Sequence, residues 1–230
     1  MLQLEALMLT QGDFTLSANW QIEPGTRLAL IGPSGAGKST LLAALAGFLT
    51  PKSGRILWQG QDLTTLAPGL RPLTILFQDQ NLFPHLTIAQ NLGLGIAPSL
   101  RLTAKDHQRI EAALDRTGLS GMAMRKPAQL SGGQQSRAAL ARALLRAKPV
   151  LMLDEPFAAL GPALKAEMLT LVADLSRDTN ATVLMVTHDP ADAAALCPMA
   201  CLIAEGVAAQ PTATQALLAN PPAALKAYLG

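Results

Sequence analysis

Aromatic residues are scarce in this sequence, whereas aliphatic residues are abundant. Phe, Trp and Tyr together make up 3% of the 230 residues, although 50% of the residues are apolar. A chain of this length and apolar content can bury a sizeable core, which argues against disorder. We therefore expect one large domain, or a core that carries a subdomain.

Neither sign of charge predominates. The chain has 18 Lys and Arg residues against 16 Asp and Glu residues, which leaves a formal net charge of +2. Such a balance does not favour a surface that binds polyanions. We therefore expect no nucleic acid partner.

Cysteine is almost absent, with Cys197 and Cys201 as the only examples. A structural metal site needs about four ligands, and no further Cys or His lies nearby in the sequence. We interpret both cysteines as small buried side chains in a reducing compartment.

Targeting and membrane-spanning segments are also missing from the sequence. The first 13 residues lack the basic start and small-residue cleavage site of a signal peptide. No run reaches the ~18 apolar residues typical of a membrane helix. We expect a cytosolic chain that does not itself cross a bilayer.

The order of predicted elements indicates an α/β fold. Apolar runs typical of strands occur before residue 84 and after residue 146, and a helix is expected over 38–49. Residues 84–146 show only helical patterns. We predict a core of 1–83 and 147–230, with 84–146 as an inserted helical subdomain in a single domain of 1–230. Strands alternating with helices predict a mostly parallel sheet covered on both faces.

A glycine-rich segment fits the phosphate-loop pattern G-x-x-x-x-G-K-[ST]. It follows the predicted strand 27–31 and precedes the predicted helix, as the motif requires. Its backbone N–H groups and the helix N-terminus would bind phosphate, while Lys38 would reach the β- and γ-phosphates and Ser39 would bind Mg²⁺. The predicted binding residues are Gly32, Pro33, Ser34, Gly35, Ala36, Gly37, Lys38, Ser39 and Thr40. A glycine-rich structural turn is the alternative interpretation.

Polar side chains follow three other predicted strands. Asp154 and Glu155 end an apolar strand, where one carboxylate could hold Mg²⁺ through water and the other could accept a proton from an attacking water. His188 ends another strand and would lie beside the acidic pair if the two strands are neighbours. Gln78 ends a third strand. Taken singly, such residues are more often solvated loop, cap or structural residues.

A second glycine-bearing loop, "LSGGQ", precedes a strongly helical run. Ser131 and Gln134 have the spacing of a capping box, so Gly132 and Gly133 would lie at a helix N-terminus. This location predicts a second anion site. An ordinary helix cap is the alternative.

Together, "GPSGAGKST", "FQ", "LSGGQ", "LMLDEP" and "VTHD" resemble, in their order, the motifs of ATP-binding-cassette ATPases across nearly the whole chain. The resemblance implies a RecA-like P-loop core with a small antiparallel β region at the N-terminus. It implies ATP and Mg²⁺ as cofactors, with Ser39, Gln78 and Asp154 at the metal.

The resemblance also assigns chemical roles and a dimer. It implies that Glu155 polarises the attacking water, that His188 contacts the γ-phosphate and that Gln78 senses Mg²⁺. Ser131, Gly132, Gly133 and Gln134 would cap the nucleotide held by a second copy of the chain. The two glycine loops of one chain would therefore serve different ATP molecules in a head-to-tail homodimer.

Two positions depart from the family pattern. Gly161 stands where the family usually has an Asp in a loop that contacts the dimer partner. Gln11 occupies the position of the aromatic residue that stacks on adenine, and Phe14 is the candidate substitute.

Several segments resemble the ATP-binding subunit of bacterial thiamine importers. This resemblance implies a permease partner, an indirect periplasmic solute-binding protein and a place at the cytoplasmic face of the inner membrane. Segment 79–92 would receive the coupling helix of the permease. Importers of iron, polyamine, molybdate or sulfate share most of these segments. A soluble cassette ATPase of DNA repair or translation and a P-loop small-molecule kinase are further alternatives.

Overall fold

The computed structural model describes residues 1–79 and 81–229. Gln80, which belongs to the segment predicted to receive the coupling helix, lies outside the described residues. The strands are β1 (Leu2–Gln11), β2 (Phe14–Ile22), β3 (Arg27–Ile31), β4 (Ser53–Trp58), β5 (Gln61–Asp62), β6 (Leu73–Leu76), β7 (Val150–Asp154), β8 (Thr182–Val186), β9 (Met199–Ala204), β10 (Val207–Ala208) and β11 (Thr212–Ala213). The helices are α1 (Lys38–Ala46), α2 (Ile88–Ile96), α3 (Ala104–Arg116), α4 (Gly132–Leu145), α5 (Pro162–Thr179), α6 (Pro190–Leu196), α7 (Thr214–Ala219) and α8 (Ala223–Leu229).

Within the described residues the strands form one 11-stranded sheet, in the order β5-β4-β1-β2-β10-β9-β3-β8-β7-β6, with β11 paired to β9. Strands β9, β3, β8, β7 and β6 run parallel, whereas β1 is antiparallel to β2 and β4. The predicted α/β fold, with its parallel core and N-terminal antiparallel region, is confirmed. The short β10 joins the two parts because it pairs with both β2 and β9.

The central parallel strands are buried on both faces, as expected for a sheet covered by helices. In β8 all five residues are buried, and alternate residues belong to different apolar clusters. Leu184 and Val186 pack on the side of α1, whereas Val183 and Met185 pack against α5 on the opposite side. This double packing fixes the parallel strands in register and gathers their carboxyl ends at one edge.

Residues 84–146 are all described and contain no strand. Helices α2, α3 and α4 share an apolar cluster that includes Ile88, Ile110 and Leu130. Helix α4 also contributes Ala139 and Leu140 to the cluster under α5. This separate cluster supports the predicted helical subdomain and shows how α4 attaches it to the sheet.

Helix α1 ends earlier than the sequence indicated. Gly47 adopts a left-handed φ of 88° and donates its N–H to Ala44, which terminates the helix at Ala46 rather than near residue 49. A buried guanidinium completes the end: Arg71 Nη1 donates to the carbonyls of Ala44 and Leu45, each at 2.8 Å.

Both cysteines are free and buried, as the sequence predicted. Burial raises the pKa of each thiol to about 12, so both are protonated at neutral pH. Of the helices that the structure describes, none combines the length and apolar character needed to cross a bilayer.

Candidate active site

The glycine-rich loop lies between β3 and α1, as its sequence pattern requires. Gly32 and Gly37 have φ values of 153° and 104°, which L side chains rarely adopt. A Cβ on Gly32 would collide with the carbonyl of Ile203, and one on Gly37 would lie 2.6 Å from Phe14 Cζ. The backbone of β9 and the ring of Phe14 therefore leave no space for a side chain, and only glycine fits at these two positions.

Lys38 begins α1 and folds back over the loop. Its Nζ donates to the carbonyl oxygens of Gly32 and Pro33, at 2.7 and 2.9 Å. Burial lowers the pKa of Lys38, although the negative charges of Glu155 and Asp154 oppose this shift. No acidic residue or side-chain cap covers the first turn of α1. The positive end of the helix and a cation thus face the same space, which suits a polyanion such as a triphosphate.

A cavity of about 430 Å³ opens over this loop. The phosphate loop contributes most of its lining, and residues from the start and end of the β1–β2 turn and from the end of β7 complete it. These lining residues are Gln11, Phe14, Ser34, Gly35, Gly37, Lys38, Ser39, Thr40 and Glu155. The structure therefore brings Phe14 and Glu155 to the predicted phosphate site. Pro33 and Ala36 do not line this cavity. The carbonyl oxygen of Pro33 accepts a hydrogen bond from Lys38, and Ala36 packs against the apolar core.

The acidic pair ends β7. Glu155 has a left-handed φ of 46°, unusual for a residue with a side chain, and its N–H donates to Val186 O at 3.1 Å. Such a conformation costs of order 1–3 kcal/mol and persists where the surroundings impose it. Burial and the adjacent Glu155 raise the pKa of Asp154, while Lys38 opposes the shift. The positive charge of Lys38 therefore does not fully compensate the ionised carboxylate of Asp154.

His188 reaches the acidic pair because β7 and β8 are neighbours. Asp154 pairs in register with Val186, so the residues that follow these two meet at the same edge. His188 Nδ1 lies 3.1 Å from Glu155 Oε2. With Glu155 ionised, Nδ1–H is the donor. The sequence predicted that His188 lies beside the acidic pair only if the two strands are neighbours, and β7 and β8 are neighbours.

Gln78 is exposed in a turn two residues beyond β6, which pairs with β7. It therefore lies at the same edge of the sheet as Asp154. The cavity lining among the described residues does not include Gln78. Its roles in catalysis and metal binding stay predictions.

The second loop begins α4 with the predicted capping box. Ser131 Oγ accepts from Gln134 N at 3.3 Å, and Gln134 Oε1 accepts from Ser131 N at 2.9 Å. Gly133 packs so closely on Leu164 of α5 that a Cβ would overlap that side chain. Among the described residues that line the phosphate-loop cavity, none belongs to 131–134. The two loops of one chain therefore do not share a pocket.

Three charged residues near His188 had no predicted role in the sequence. Lys165 Nζ lies 2.7 Å from Asp189 Oδ2 and 3.0 Å from Asp192 Oδ1. Asp189 follows His188 directly and was the one available signal. Lys165 gave none, because a lysine on an amphipathic helix is ordinary in sequence.

Comparisons with known proteins agree with this geometry. A family model described as "ABC transporter" matches residues 16–158. The thiamine import ATP-binding protein ThiQ of Cereibacter sphaeroides is 64% identical, and that of Brucella suis is 47% identical. Both alignments span all of this chain, covering 100% and 95% of the relative. A dimeric post-hydrolysis structure of the ATP-binding cassette MJ0796, bound to ADP and Pi, superimposes with a TM-score of 0.79 at 27% identity, covering 93% of this chain and 99% of that one.

Proposed function

The chain belongs to the ABC transporter family, and on that premise we propose that it is the ATP-hydrolysing subunit of a bacterial thiamine importer. The observation that carries this proposal is the 64% identity over the full length of both chains to a thiamine import ATP-binding protein. The segments that resembled thiamine importers in the sequence agree with it. Transport of the solute itself belongs to a separate permease.

ATP would bind with its phosphates on the loop of residues 32–40. The N–H groups of the loop and Lys38 would hold the phosphate oxygens. Ser39 and Asp154 offer a hydroxyl and a carboxylate, the hard oxygen ligands that suit Mg²⁺, with Gln78 as a further candidate. The raised pKa of Asp154 supports this fit, because a carboxylate short of positive charge favours a bound cation. When bound, Mg²⁺ would neutralise charge on the β- and γ-phosphates.

Hydrolysis would proceed by attack of water on the γ-phosphorus. Glu155 accepts a proton from the water as its oxygen bonds to phosphorus, and the bond to the β–γ bridging oxygen breaks to release ADP and phosphate. His188, whose Nδ1 lies 3.1 Å from Glu155 Oε2, would orient that carboxylate and contact the γ-phosphate. The strained φ of Glu155 supports this role, since such conformations cluster at functional sites.

The second glycine loop would complete the site of another copy. In a head-to-tail homodimer, Ser131, Gly132, Gly133 and Gln134 would cap the nucleotide on the partner. Two observations support this arrangement. Residues 131–134 do not line the cavity of their own chain, and the related cassette MJ0796 was solved as a dimer.

The permease would dock in a groove between the sheet and the helical subdomain. A cavity of about 440 Å³ lies there, lined by aromatic side chains that include Phe48, Phe77 and Phe83. Phe48 is 61% exposed. Thr74 Oγ1 is buried in the groove, with no hydrogen-bond partner among the described residues. The aromatic lining and the exposed Phe48 support docking of a helix that is apolar on one face. In such an importer the chain would lie at the cytoplasmic face of the inner membrane, and a periplasmic binding protein would act indirectly.

Solute-stimulated ATP hydrolysis by the reconstituted transporter tests the proposal. The chain, its permease and the cognate binding protein are assembled in proteoliposomes, and phosphate release is measured with thiamine, iron, a polyamine, molybdate or sulfate. Thiamine is expected to raise the rate, and the other solutes should leave it at the basal level. Stimulation by another of these solutes alone would contradict the thiamine assignment while retaining the importer.

A further inference from the structure

Helix α5 connects the segment that carries His188 to the helix that begins at the second glycine loop. We propose that Lys165, on the first turns of α5, is a positioning residue that holds His188 against Glu155. This inference rests on the proposed function only in that the chain hydrolyses ATP. It does not depend on the solute.

Lys165 is held between two carboxylates from outside its own helix. Its Nζ lies 2.7 Å from Asp189 Oδ2 and 3.0 Å from Asp192 Oδ1. The Lys165, Asp192 and Asp189 side chains are 20%, 15% and 33% exposed, so the pair with Asp192 is the better shielded of the two. Bridges of this kind hold their partners more firmly than fully exposed pairs.

The two carboxylates follow His188 closely: Asp189 is the next residue and caps α6, and Asp192 lies in the first turn of α6. Thr187 Oγ1 donates to Asp192 Oδ2 at 3.3 Å and accepts from Asp189 N at 3.0 Å. Asp189 Oδ1 accepts from Ala191 N and caps α6. The residues before and after His188 are therefore joined in one network, and Lys165 connects that network to α5.

Lys165 and Asp189 each favour the charged form of the other. Lys165 donates hydrogen bonds to Asp189 and Asp192, which raise the pKa of Lys165, and its bond to Asp189 lowers the pKa of that carboxyl. Both shifts favour the charged forms, so the pair of Lys165 and Asp189 stays ionised near neutral pH. The link therefore persists under the conditions in which ATP is hydrolysed.

The same part of α5 holds the start of α4. Leu164 packs on Gly133, and Glu167 forms an ion pair with Arg137 of α4. Arg137 in turn donates to Thr117 O at 3.0 Å. Adjacent residues of one helix thus contact the two carboxylates that follow His188 and the loop that would cap the nucleotide of the partner.

Replacement of Lys165 by methionine tests the role. Lys165→Met keeps the aliphatic stem and removes only the charge that binds Asp189 and Asp192. ATP hydrolysis by the permease complex is measured without solute. We expect kcat to fall about tenfold and KM for ATP to stay within about twofold, because Lys165 acts on the hydrolytic geometry rather than on nucleotide binding. Lys165→Arg should recover most of the rate, since a guanidinium can bind both carboxylates.

Two further measurements separate positioning from general stability. Arg177→Met is the matched control, since it removes an exposed ion pair with Asp174 within α5 and should leave kcat unchanged. The chain has three histidines, so the imidazole signals of His85, His107 and His188 can be assigned in NMR spectra. In Lys165→Met the His188 signal should shift while the other two stay in place.

A kcat for Lys165→Met within twofold of the parent would overturn the inference, as would a lower kcat with an unmoved His188 signal. If Lys165→Met does not fold, Asp192→Asn removes one arm of the network and must give the same kcat loss and the same His188 shift. A parent complex without ATP hydrolysis would instead contradict the proposed function.

Discussion

His188 Nδ1 lies 3.1 Å from Glu155 Oε2, although the two residues are 33 positions apart in the chain. They meet because β7 and β8 are adjacent parallel strands with paired carboxyl ends. The left-handed φ of Glu155 brings its carboxylate to the phosphate-loop cavity rather than along the strand. The proposed base and its proposed orienting partner thus lie at the ends of two strands that are separated in sequence by a helix.

Glu155→Gln should retain ATP binding and nearly stop hydrolysis. The amide keeps the size of the side chain but cannot accept the proton of the attacking water, so kcat should fall at least about 100-fold. The nucleotide-bound dimer should then stay closed, as size-exclusion chromatography with ATP would show. Glu205→Gln is the matched control, because Glu205 is an exposed glutamate with a similar φ of 50° in another turn. Turnover by Glu155→Gln near the parental rate would reject Glu155 as the base.

Mixed dimers test whether the second loop serves the partner. Ser131→Arg should block capping of the γ-phosphate without affecting the phosphate loop of its own chain. A dimer of one Ser131→Arg chain and one Lys38→Ala chain then keeps one intact site, because both changes fall on the other site. One ATP should be occluded per mixed dimer, measured with radiolabelled nucleotide. Two dead sites or two live sites would contradict the cross-subunit assignment.

Gln11→Tyr should strengthen ATP binding. Gln11 lines the cavity beside Phe14, whose ring already packs on Gly37 of the phosphate loop. An aromatic ring at position 11 would add a stacking surface for adenine, worth about threefold to tenfold in Kd. Titration with a fluorescent ATP analogue measures the change. Gln21→Tyr adds the same ring at an exposed position near the far end of β2 and should have no effect. Equal affinities for the parent and Gln11→Tyr would exclude adenine stacking at this position.

Arg71→Met should destabilise the chain. Arg71 is 1% exposed and donates to four carbonyl oxygens, two of them in the last turn of α1. Loss of these donors leaves buried acceptors unpaired, so we expect a loss of about 3 kcal/mol or more in the free energy of unfolding, measured by urea titration. Arg55→Met removes only a surface ion pair with Glu5 and should change stability by less than about 1 kcal/mol. Equal losses for the two variants would contradict a special role for Arg71.

Asp154→Asn should stabilise the chain in the absence of nucleotide and metal. The pKa of Asp154 is raised, so the folded chain favours the protonated carboxyl more than the unfolded chain does. Protonation of Asp154 therefore adds to the free energy of unfolding, and this gain is lost as the pH rises through the raised pKa. The asparagine variant has no such loss. Its advantage in unfolding free energy should therefore be smallest at low pH and grow as the pH rises.

Urea unfolding over a series of pH values gives the test of Asp154→Asn. Asp13→Asn, at an exposed carboxyl in the β1–β2 turn, is the matched control and should show no comparable growth. If Asp154→Asn is less stable than the parent at neutral pH, the ionised carboxylate of Asp154 does not destabilise the folded chain.

Contiguous features could be predicted from the sequence because their physics is local. The phosphate loop needs glycines, a preceding strand and a following helix within a short stretch of chain. The cap at Ser131 needs only Gln134, three residues later, and both of its hydrogen bonds are present. The end of α1 was misplaced by three residues, because the left-handed Gly47 stops a run that is otherwise strongly helical.

Partners that meet through tertiary contacts could not be predicted. Arg71 binds carbonyls of α1, 26 and 27 residues earlier, and Lys165 binds Asp189, 24 residues later. Nothing in a sequence distinguishes such a cation from an ordinary surface residue. The burial of Arg71 and the paired carboxylates at Lys165 become visible only when the helices lie on the sheet.

The sequence by itself determined the α/β character of the chain, the phosphate loop, the acidic pair and the second glycine loop, since each depends on neighbouring residues and on hydrophobic periodicity. Only the tertiary structure decided that His188 meets Glu155, that Phe14 closes on Gly37 and that α5 connects His188 to α4. The reason is that strand order and helix packing are set by long-range burial of apolar side chains, which brings together groups that no local pattern relates.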